Sequence, residues 1–289
     1  MNDLKFSVIL PIYNEQDVIK EVLTNLKNYL EQNFSGRYEI IAVNDGSTDQ
    51  TKEVLSTVDG IKIVNHPYNK GYGATVKAGV KESDFDWVLT FDSDGQHRVE
   101  DIGKLLAAQD GFDMVVGART GYKGPAIRQP AKKILHWIAE YLVEKKIPDL
   151  NSGLRLIKKE YFLKYKHLLP NAFSWTTTIT LTFFKESLNV NYMPIEINKR
   201  QGGKSTVKAS DAVKTFMLIL RIITLFSPLR VFLPATLMLL GLAAIDALPE
   251  IFKGNINDST IILIISSLIT FFFGIIADQV AAIRREINN

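Results

Sequence analysis

The chain has 289 residues, a length suited to one large domain or a domain with appendages. Its 34 basic and 31 acidic residues leave a formal charge of +3 with no concentrated basic stripe, which argues against nucleic acid as a partner. Cysteine is absent, so disulfides and thiolate metal sites are excluded.

The opening MNDLKFSVILPIYNE carries an apolar run too short for a secretory signal. It reads as a first strand, Phe6–Leu10, and the N-terminus is expected to stay in the cytoplasm. Further strands are predicted at Tyr38–Val43, Ile61–Val64, Trp87–Phe91 and Met114–Val116, with helices at Gln16–Glu31, Asp49–Ser56, Ala74–Lys81 and Glu100–Gln109. Short Val- and Ile-rich runs separated by helix-length segments argue for βαβ units and a mostly parallel sheet. No internal repeat or low-complexity tract is found.

Near Ser205–Ala209 the composition changes, and apolar density stays high almost to the end. Ser210–Phe226 has an apolar body with Asp211, Lys214, Arg221 and Thr224 at helical spacings. It reads as an amphipathic helix in a membrane interface, ended near Pro228, with a packed domain helix as the competing reading. Two apolar segments follow, Val231–Leu248 and Thr260–Ala277, each close to the lower limit of roughly 18 residues for a span. The polar PEIFKGNINDS between them reads as a hairpin loop. Buried core helices are the alternative, but a nearly all-round apolar surface favours lipid. Arg230 precedes the hairpin and Arg284 and Arg285 follow it, while the loop holds only Lys253. The positive-inside rule therefore places both ends in the cytoplasm. Upstream, Lys199, Arg200, Lys204 and Lys208 form either a solvated face or a contact for an anionic leaflet, worth about 1 kcal/mol per residue.

In parallel sheets ligands bind beyond the carboxyl ends of the strands. The residues expected there are Pro11–Glu15, Asn44–Asp49, His66–Gly73, Asp92–His97 and Gly117–Thr120. Gly71 and Gly73 give a weak phosphate-loop hint, but no full G-x-G-x-x-G follows the first strand, which argues against a dinucleotide fold. Asp92 and Asp94 stand two apart and would share a face of a continuing strand. Two such charges repel unless a cation intervenes. Oxygen donors from Asp92, Asp94 and Gln96 suit Mg²⁺ or Mn²⁺. The competing reading is a solvated loop, with Asp94-Gly95 as a turn and Asp92 as a helix cap.

The stretches VILPIYNE, VNDGSTDQT, NKGYGATVKAG, FDSDGQH, VGAR, NSGLRLIKK and RQGGKST, in that order, resemble glycosyltransferase family 2. Within it they resemble the polyprenyl-phosphate sugar transferases of the dolichyl-phosphate mannose synthase type. The resemblance implies an α/β, mostly parallel-sheet, nucleotide-sugar-binding domain (glycosyltransferase A-type) over residues 1–208. The apolar pattern adds an amphipathic interface helix over 209–228 and a two-helix transmembrane hairpin over 229–289, with spans near 231–248 and 260–279. Carried over, Pro11, Tyr13, Glu15, Val43 and Asp45 would hold the nucleoside. Asp92, Ser93, Asp94 and Gln96 would form the metal and diphosphate site, with Asp94 and Gln96 as the direct ligands. Arg119 and Arg200 would contact phosphate, and Lys70, Ser152, Lys204 and Ser205 complete the implied substrate set. Where the family's last motif has Ser-Lys, this chain has Ser205-Thr206, leaving Lys204 or Lys208 to supply the charge.

The implied activity is inverting transfer of a sugar from a GDP- or UDP-sugar to a polyprenyl or dolichyl phosphate at the cytoplasmic membrane face. A departing diphosphate needs a metal and cationic side chains, and arginine offers phosphate two parallel hydrogen bonds. A lipid phosphate is already anionic, so no strong base is required, and His97 reads equally as a structural group. Asp149 is the carboxylate expected on the acceptor side, with a turn formed by Asp149 and Asn151 as the alternative. Other readings are a different acceptor (glycan or glycolipid), a non-catalytic nucleotide-sugar-binding membrane protein, an aspartyl phosphatase, a nucleotidyltransferase and a processive polysaccharide synthase. The phosphatase motif needs Thr where Gln96 stands, and the synthase lacks its Q-x-x-R-W motif. Self-association as a homo-oligomer, the sugar, the base and the lipid length stay open.

Overall fold

A computed structural model of the chain describes residues 4–120, 129–171, 174–198, 217, 220, 224, 227–251 and 256–288. Two compact units divide it, Met1–Asp211 and Ala212–Asn289. The first is built on seven strands: β1 (Phe6–Ile12), β2 (Tyr38–Asn44), β3 (Lys62–Asn65), β4 (Trp87–Thr90), β5 (Met114–Arg119), β6 (Arg155–Lys158) and β7 (Val190–Ile195). Their order across the sheet is β3-β2-β1-β4-β6-β5-β7. Every pairing is parallel except those of β6, which runs antiparallel to both β4 and β5. The helices are α1 (Ile19–Phe34), α2 (Thr51–Ser56), α3 (Tyr72–Glu82), α4 (Asp101–Ala107), α5 (Gln129–Val143), α6 (Lys159–Tyr165) and α7 (Trp175–Lys185).

Alternation along the strands makes two cores. From β1, Phe6, Val8, Leu10 and Ile12 join one core with Leu23, Leu26 and Leu30 of α1, while Ile9 joins the other with Val76 and Val80 of α3. Apolar residues therefore occupy both faces of the central strands, as expected when helices cover each side. On α1 the buried residues Ile19, Val22, Leu23, Leu26 and Leu30 recur at three- and four-residue spacing. Each such leucine, removed from water, contributes about 1.5–3 kcal/mol.

The five predicted strands are all present, with ends shifted by at most three residues, the largest shift being at the end of β5. Helix α1 starts at Ile19 rather than Gln16 because Asn14 sits at φ 54 and Glu15 O accepts the amides of Val18 and Ile19. Strands β6 and β7 and helices α5 to α7 were not anticipated. β7 contains Pro194, which is tolerated because this strand lies at the sheet edge.

In the second unit, α8 (Leu229–Ile251) and α9 (Asp258–Asn288) pack as a hairpin. A Cβ at Gly274 would stand 2.6 Å from Phe232 Cβ, so glycine lets the two helices close up there. At the opposite end, Asp246 accepts hydrogen bonds from Ser259 Oγ (2.6 Å) and Thr260 Oγ1 (2.7 Å). Leu229–Pro249 and Asp258–Ile283 have mean hydropathies of 2.1 and 2.5 and are long and apolar enough to cross a membrane. Leu237, Met238, Ile245, Ile262, Phe272 and Phe273 on them are exposed, which distinguishes them from core helices of a water-soluble protein. Of the amphipathic segment expected over 210–226, only Met217, Leu220 and Thr224 are described, each in helical conformation.

Gly79 on α3 allows the helix to lie against the sheet: a Cβ there would overlap Ile9 Cγ2 and stand 3.1 Å from Val43 Cγ2. Gly79→Ala is expected to cost about 1–3 kcal/mol through overpacking. Thermal unfolding followed by near-UV circular dichroism reads this directly, and an unchanged Tm would show that α3 is not seated as described.

Candidate active site

The carboxyl ends of β1 to β5 and β7 share one edge with the amino end of β6, because Thr90 pairs with Arg155 in antiparallel register. Reversing one strand thus brings the 149–154 loop to the edge where the parallel strands end. The loops after β1 and β2 are braced together. Asn14 Oδ1 accepts Thr48 N (2.8 Å), Ser47 Oγ accepts Asn14 N (3.0 Å), and Thr51 Oγ1 accepts Glu15 N (2.9 Å). Asp45 is buried at the base of the second loop and reaches the loop after β3. Its carboxylate accepts Lys70 N (2.9 Å) and Gly71 N (2.8 Å) and lies 2.7 Å from His66 Nδ1. It thereby fixes the turn at Gly71 (φ 98) that starts α3.

Asp92 is held at both oxygens. Tyr72 donates to Oδ1 (2.6 Å), and His97 Nε2 lies 3.1 Å from Oδ2. Burial pushes the Asp92 carboxyl up, but His97, Tyr72 and the Arg119 charge outweigh it and hold it below the usual carboxylate range. The same burial, with Asp92 beside it, raises the Tyr72 phenol well above its ordinary value. Gly153 packs on the carboxylate so closely that a Cβ would overlap it. Asp94 turns back to accept Gln96 N (3.1 Å), with Gly95 at φ 73, so the Asp94-Gly95 turn of the competing reading is present. Ser93 Oγ donates to Pro11 O (2.9 Å). The residues after β7 cross this loop: Ile197 bridges His97, and Asn198 N donates to Gln96 O (2.9 Å).

Arg119, at the end of β5, forms a two-pronged ion pair with Asp149, Nε to Oδ2 (2.7 Å) and Nη2 to Oδ1 (3.0 Å). Asp149 also accepts Asn151 N (3.0 Å), so it forms the turn and holds the arginine together. Burial pushes its carboxyl up, and the Arg119 contacts reverse this and leave it below the ordinary value. Behind this pair lies Arg155, wholly buried. It donates to Ser152 O (2.7 Å), Leu150 O (3.1 Å) and Thr180 Oγ1 (2.7 Å), with its guanidinium over the Trp175 ring.

Of the residues expected in the site, Pro11, Val43, Ser93 and Ser152 are buried in its floor, as is Glu15. Tyr13 is 38% exposed at the mouth, and Lys70 is exposed with its Nζ over the Tyr68 ring. Arg200, Lys204, Ser205 and Lys208 lie outside the described residues. Tyr72, Gly153 and Arg155 were not singled out. Arg155 alone left a signal, a charge inside the apolar run GLRLI. Asp94 and Gln96 offer hard oxygen donors on a partly exposed loop. Among the described residues no cluster of three or more His, Cys, Asp or Glu side chains forms a cage. A divalent ion held here would complete its shell with water and substrate oxygens, as Mg²⁺ ordinarily does.

This sheet and edge site define an α/β domain of the glycosyltransferase A type. The chain belongs to glycosyl transferase family 2, whose model matches residues 7–166. A second model, the GtrB C-terminal hairpin, matches residues 227–283. The chain is 29% identical over 223 residues to the UDP-N-acetylglucosamine–dolichyl-phosphate N-acetylglucosaminyltransferase of Methanococcus voltae, covering 68% of this chain and 86% of that protein. It is 26% identical over 215 residues to the undecaprenyl-phosphate 4-deoxy-4-formamido-L-arabinose transferase of Edwardsiella ictaluri, covering 71% of this chain and 65% of that one. Among solved structures it resembles glucosyl-3-phosphoglycerate synthase from Mycobacterium tuberculosis, crystallised with Mn²⁺, UDP and phosphoglyceric acid. There the TM-score is 0.62 at 17% identity, over 76% of this chain and 78% of that one.

Because the Asp149 carboxyl is held lower in the folded state than in the unfolded one, its stabilisation is complete above about pH 4 and fades as the pH falls through the folded value. The Tm difference between the wild type and Asp149→Asn is therefore expected to stay constant from neutrality to about pH 4 and to close below it. A difference that persists undiminished in acid would show that the ion pair with Arg119 is not its source.

Proposed function

We propose that this enzyme transfers a sugar from a UDP- or GDP-linked donor to the phosphate of a polyprenol at a membrane surface, with inversion at the anomeric carbon. One observation carries the reading: a family 2 edge site and a hairpin apolar enough for a bilayer occur in one chain. The relatives named for dolichyl-phosphate and undecaprenyl-phosphate transfer support it. In this reading residues 1–208 form the catalytic domain, 209–228 an interfacial helix and 229–289 the membrane hairpin, with both ends cytoplasmic because the flanking arginines outnumber the loop's single lysine.

The residues divide the work by chemistry. In this reading Tyr13, exposed at the mouth, meets the nucleoside base, and Asn14 and Asp45 brace the loops beneath it. Mg²⁺ or Mn²⁺, held by Asp94 and Gln96, would neutralise charge on the departing diphosphate. Asp149 holds Arg119 by its Nε–Nη2 edge and so orients the guanidinium, and a phosphate would approach it from the Nη1–Nη2 side. An incoming phosphate therefore meets an oriented fork whose ordering has been met in folding. With Asp149 holding the fork, Arg119 takes the acceptor or donor phosphate without a search through rotamers. The acceptor oxygen attacks as an anion, so no side chain has to remove a proton. In this reading Asp92, fixed by Tyr72, His97 and Gly153, accepts hydroxyl donors of the ribose or sugar.

Membranes carrying the enzyme, given a panel of sugar nucleotides and polyprenyl phosphate, are expected to form a lipid adduct of one sugar mass, read by mass spectrometry. EDTA should abolish it, and Asp94→Asn should lower turnover on the order of 100-fold. No adduct with any donor, or one indifferent to EDTA, would overturn the reading.

A further inference from the structure

Three features outside the edge site invite a role: the Asp246 clamp, the cleft beside α1, and the outer face of α5. The last carries an argument to a defined partner. Helix α5 presents Trp137 and Tyr141, one turn apart, as a stacked pair with ring centroids 5.9 Å apart and planes at 16°. They are 65% and 48% exposed, an unusual place for two large aromatic rings side by side in water. Lys133, one turn before Trp137, and Lys145 and Lys146, just past the helix end, are exposed and bracket the pair. Two acids lie nearby: Glu144 is exposed next to Lys145, so the lysines outnumber it three to one, and Glu140 is turned elsewhere. Its Oε1 accepts Ile147 N (2.9 Å) and lies 3.5 Å from His136 Nε2.

We propose that this face of α5 is a second membrane contact, lying in the headgroup region of an anionic leaflet. Trp and Tyr favour that depth because each has an apolar ring and a polar tip. Lysines on either side can extend their apolar stems along the lipid and keep their charges among the phosphates. With the hairpin of α8 and α9, long and apolar enough to cross a membrane, seated in a bilayer as proposed above, lipid is the partner this face meets at the highest effective concentration. The contact would keep the catalytic domain at a fixed height over the leaflet. It rests on the membrane anchoring of the chain but not on the identity of donor or acceptor.

The chain offers its own probe. It has three tryptophans, and Trp87 and Trp175 are 8% and 0% exposed, so Trp137 alone is open to an external quencher. The full chain would be reconstituted in nanodiscs containing phosphatidylglycerol and lipids brominated near the headgroup end of the acyl chain. Co-migration with the disc on size exclusion reports insertion of the hairpin separately. The expected result is a clear loss of emission with brominated lipid and little quenching by acrylamide, with the bromine effect gone in Trp137→Phe. Emission quenched by acrylamide but not by bromine would put Trp137 in water and overturn the proposal. Protection from both quenchers would put a protein surface over it and overturn the proposal equally. Sugar transfer plays no part in the readout, so failure of the catalytic reading and failure of this one are separable.

Discussion

A guanidinium sealed inside the first unit governs the geometry of the edge site. Arg155 is wholly buried, and among the described residues it forms no direct ion pair. Burial lowers its affinity for the proton, while Tyr192, Asp149 and Tyr72 act in the opposite direction. A buried charge of this kind is tolerated only where every donor finds an acceptor. Its acceptors are the carbonyls of Leu150 and Ser152 and the Thr180 hydroxyl, so the cation dictates the path of the loop ahead of it. That path in turn delivers Asp149 to Arg119 and Gly153 to Asp92. The buried charge is the pin on which two carboxylates of the candidate site are positioned.

The reversed strand gives this pin its reach. A wholly parallel sheet returns each chain end to the far side through a crossover, and only strand ends would face the ligand. By entering antiparallel between β4 and β5, β6 supplies a loop at its start rather than its finish. The site is therefore assembled from two kinds of segment. The ends of parallel strands and the loops after them carry Asp45, Asp92 and Arg119, and one loop before an antiparallel strand carries Asp149 and Ser152. Cross-bracing within the first group, through Asn14, Thr48 and Asp45, leaves little slack for a ligand to take up.

The parallel half was legible because each strand is a buried apolar run punctuated by Asp, Gly or Asn, and its helices carry a clear apolar stripe. The second half hid itself in three ways. β6 is four residues long and begins with arginine and ends with lysine, so it shows no strand period. β7 mixes Asn, Tyr and Pro because an edge strand meets less demand for apolar side chains. Helix α7 reads TTTITLT, a β-branched run with strand propensity, yet it is helical. Thr178 and Thr180 return their hydroxyls to carbonyls four residues back, and burial among Phe162 and Trp175 overrides local preference. In the site, residue types at loop ends announced Asp92, Asp94 and Arg119. Pairings across long stretches of chain, such as Tyr72 with Asp92 or Arg119 with Asp149, have no signature in a single sequence. They emerge only when the sheet order brings the loops together.

The Asp246 clamp bears on how the hairpin comes to be inserted. A carboxylate near the turn must pass through the hydrocarbon if the tip is to reach the far side, and a bare one resists that passage. Two hydroxyls from Ser259 and Thr260 already surround it, so part of its hydration is replaced by groups that travel with it. Because those hydroxyls belong to the following helix, such shielding exists only once both segments have paired. Biogenesis in which the two segments cross as a folded unit, rather than one after the other, is the route this chemistry favours.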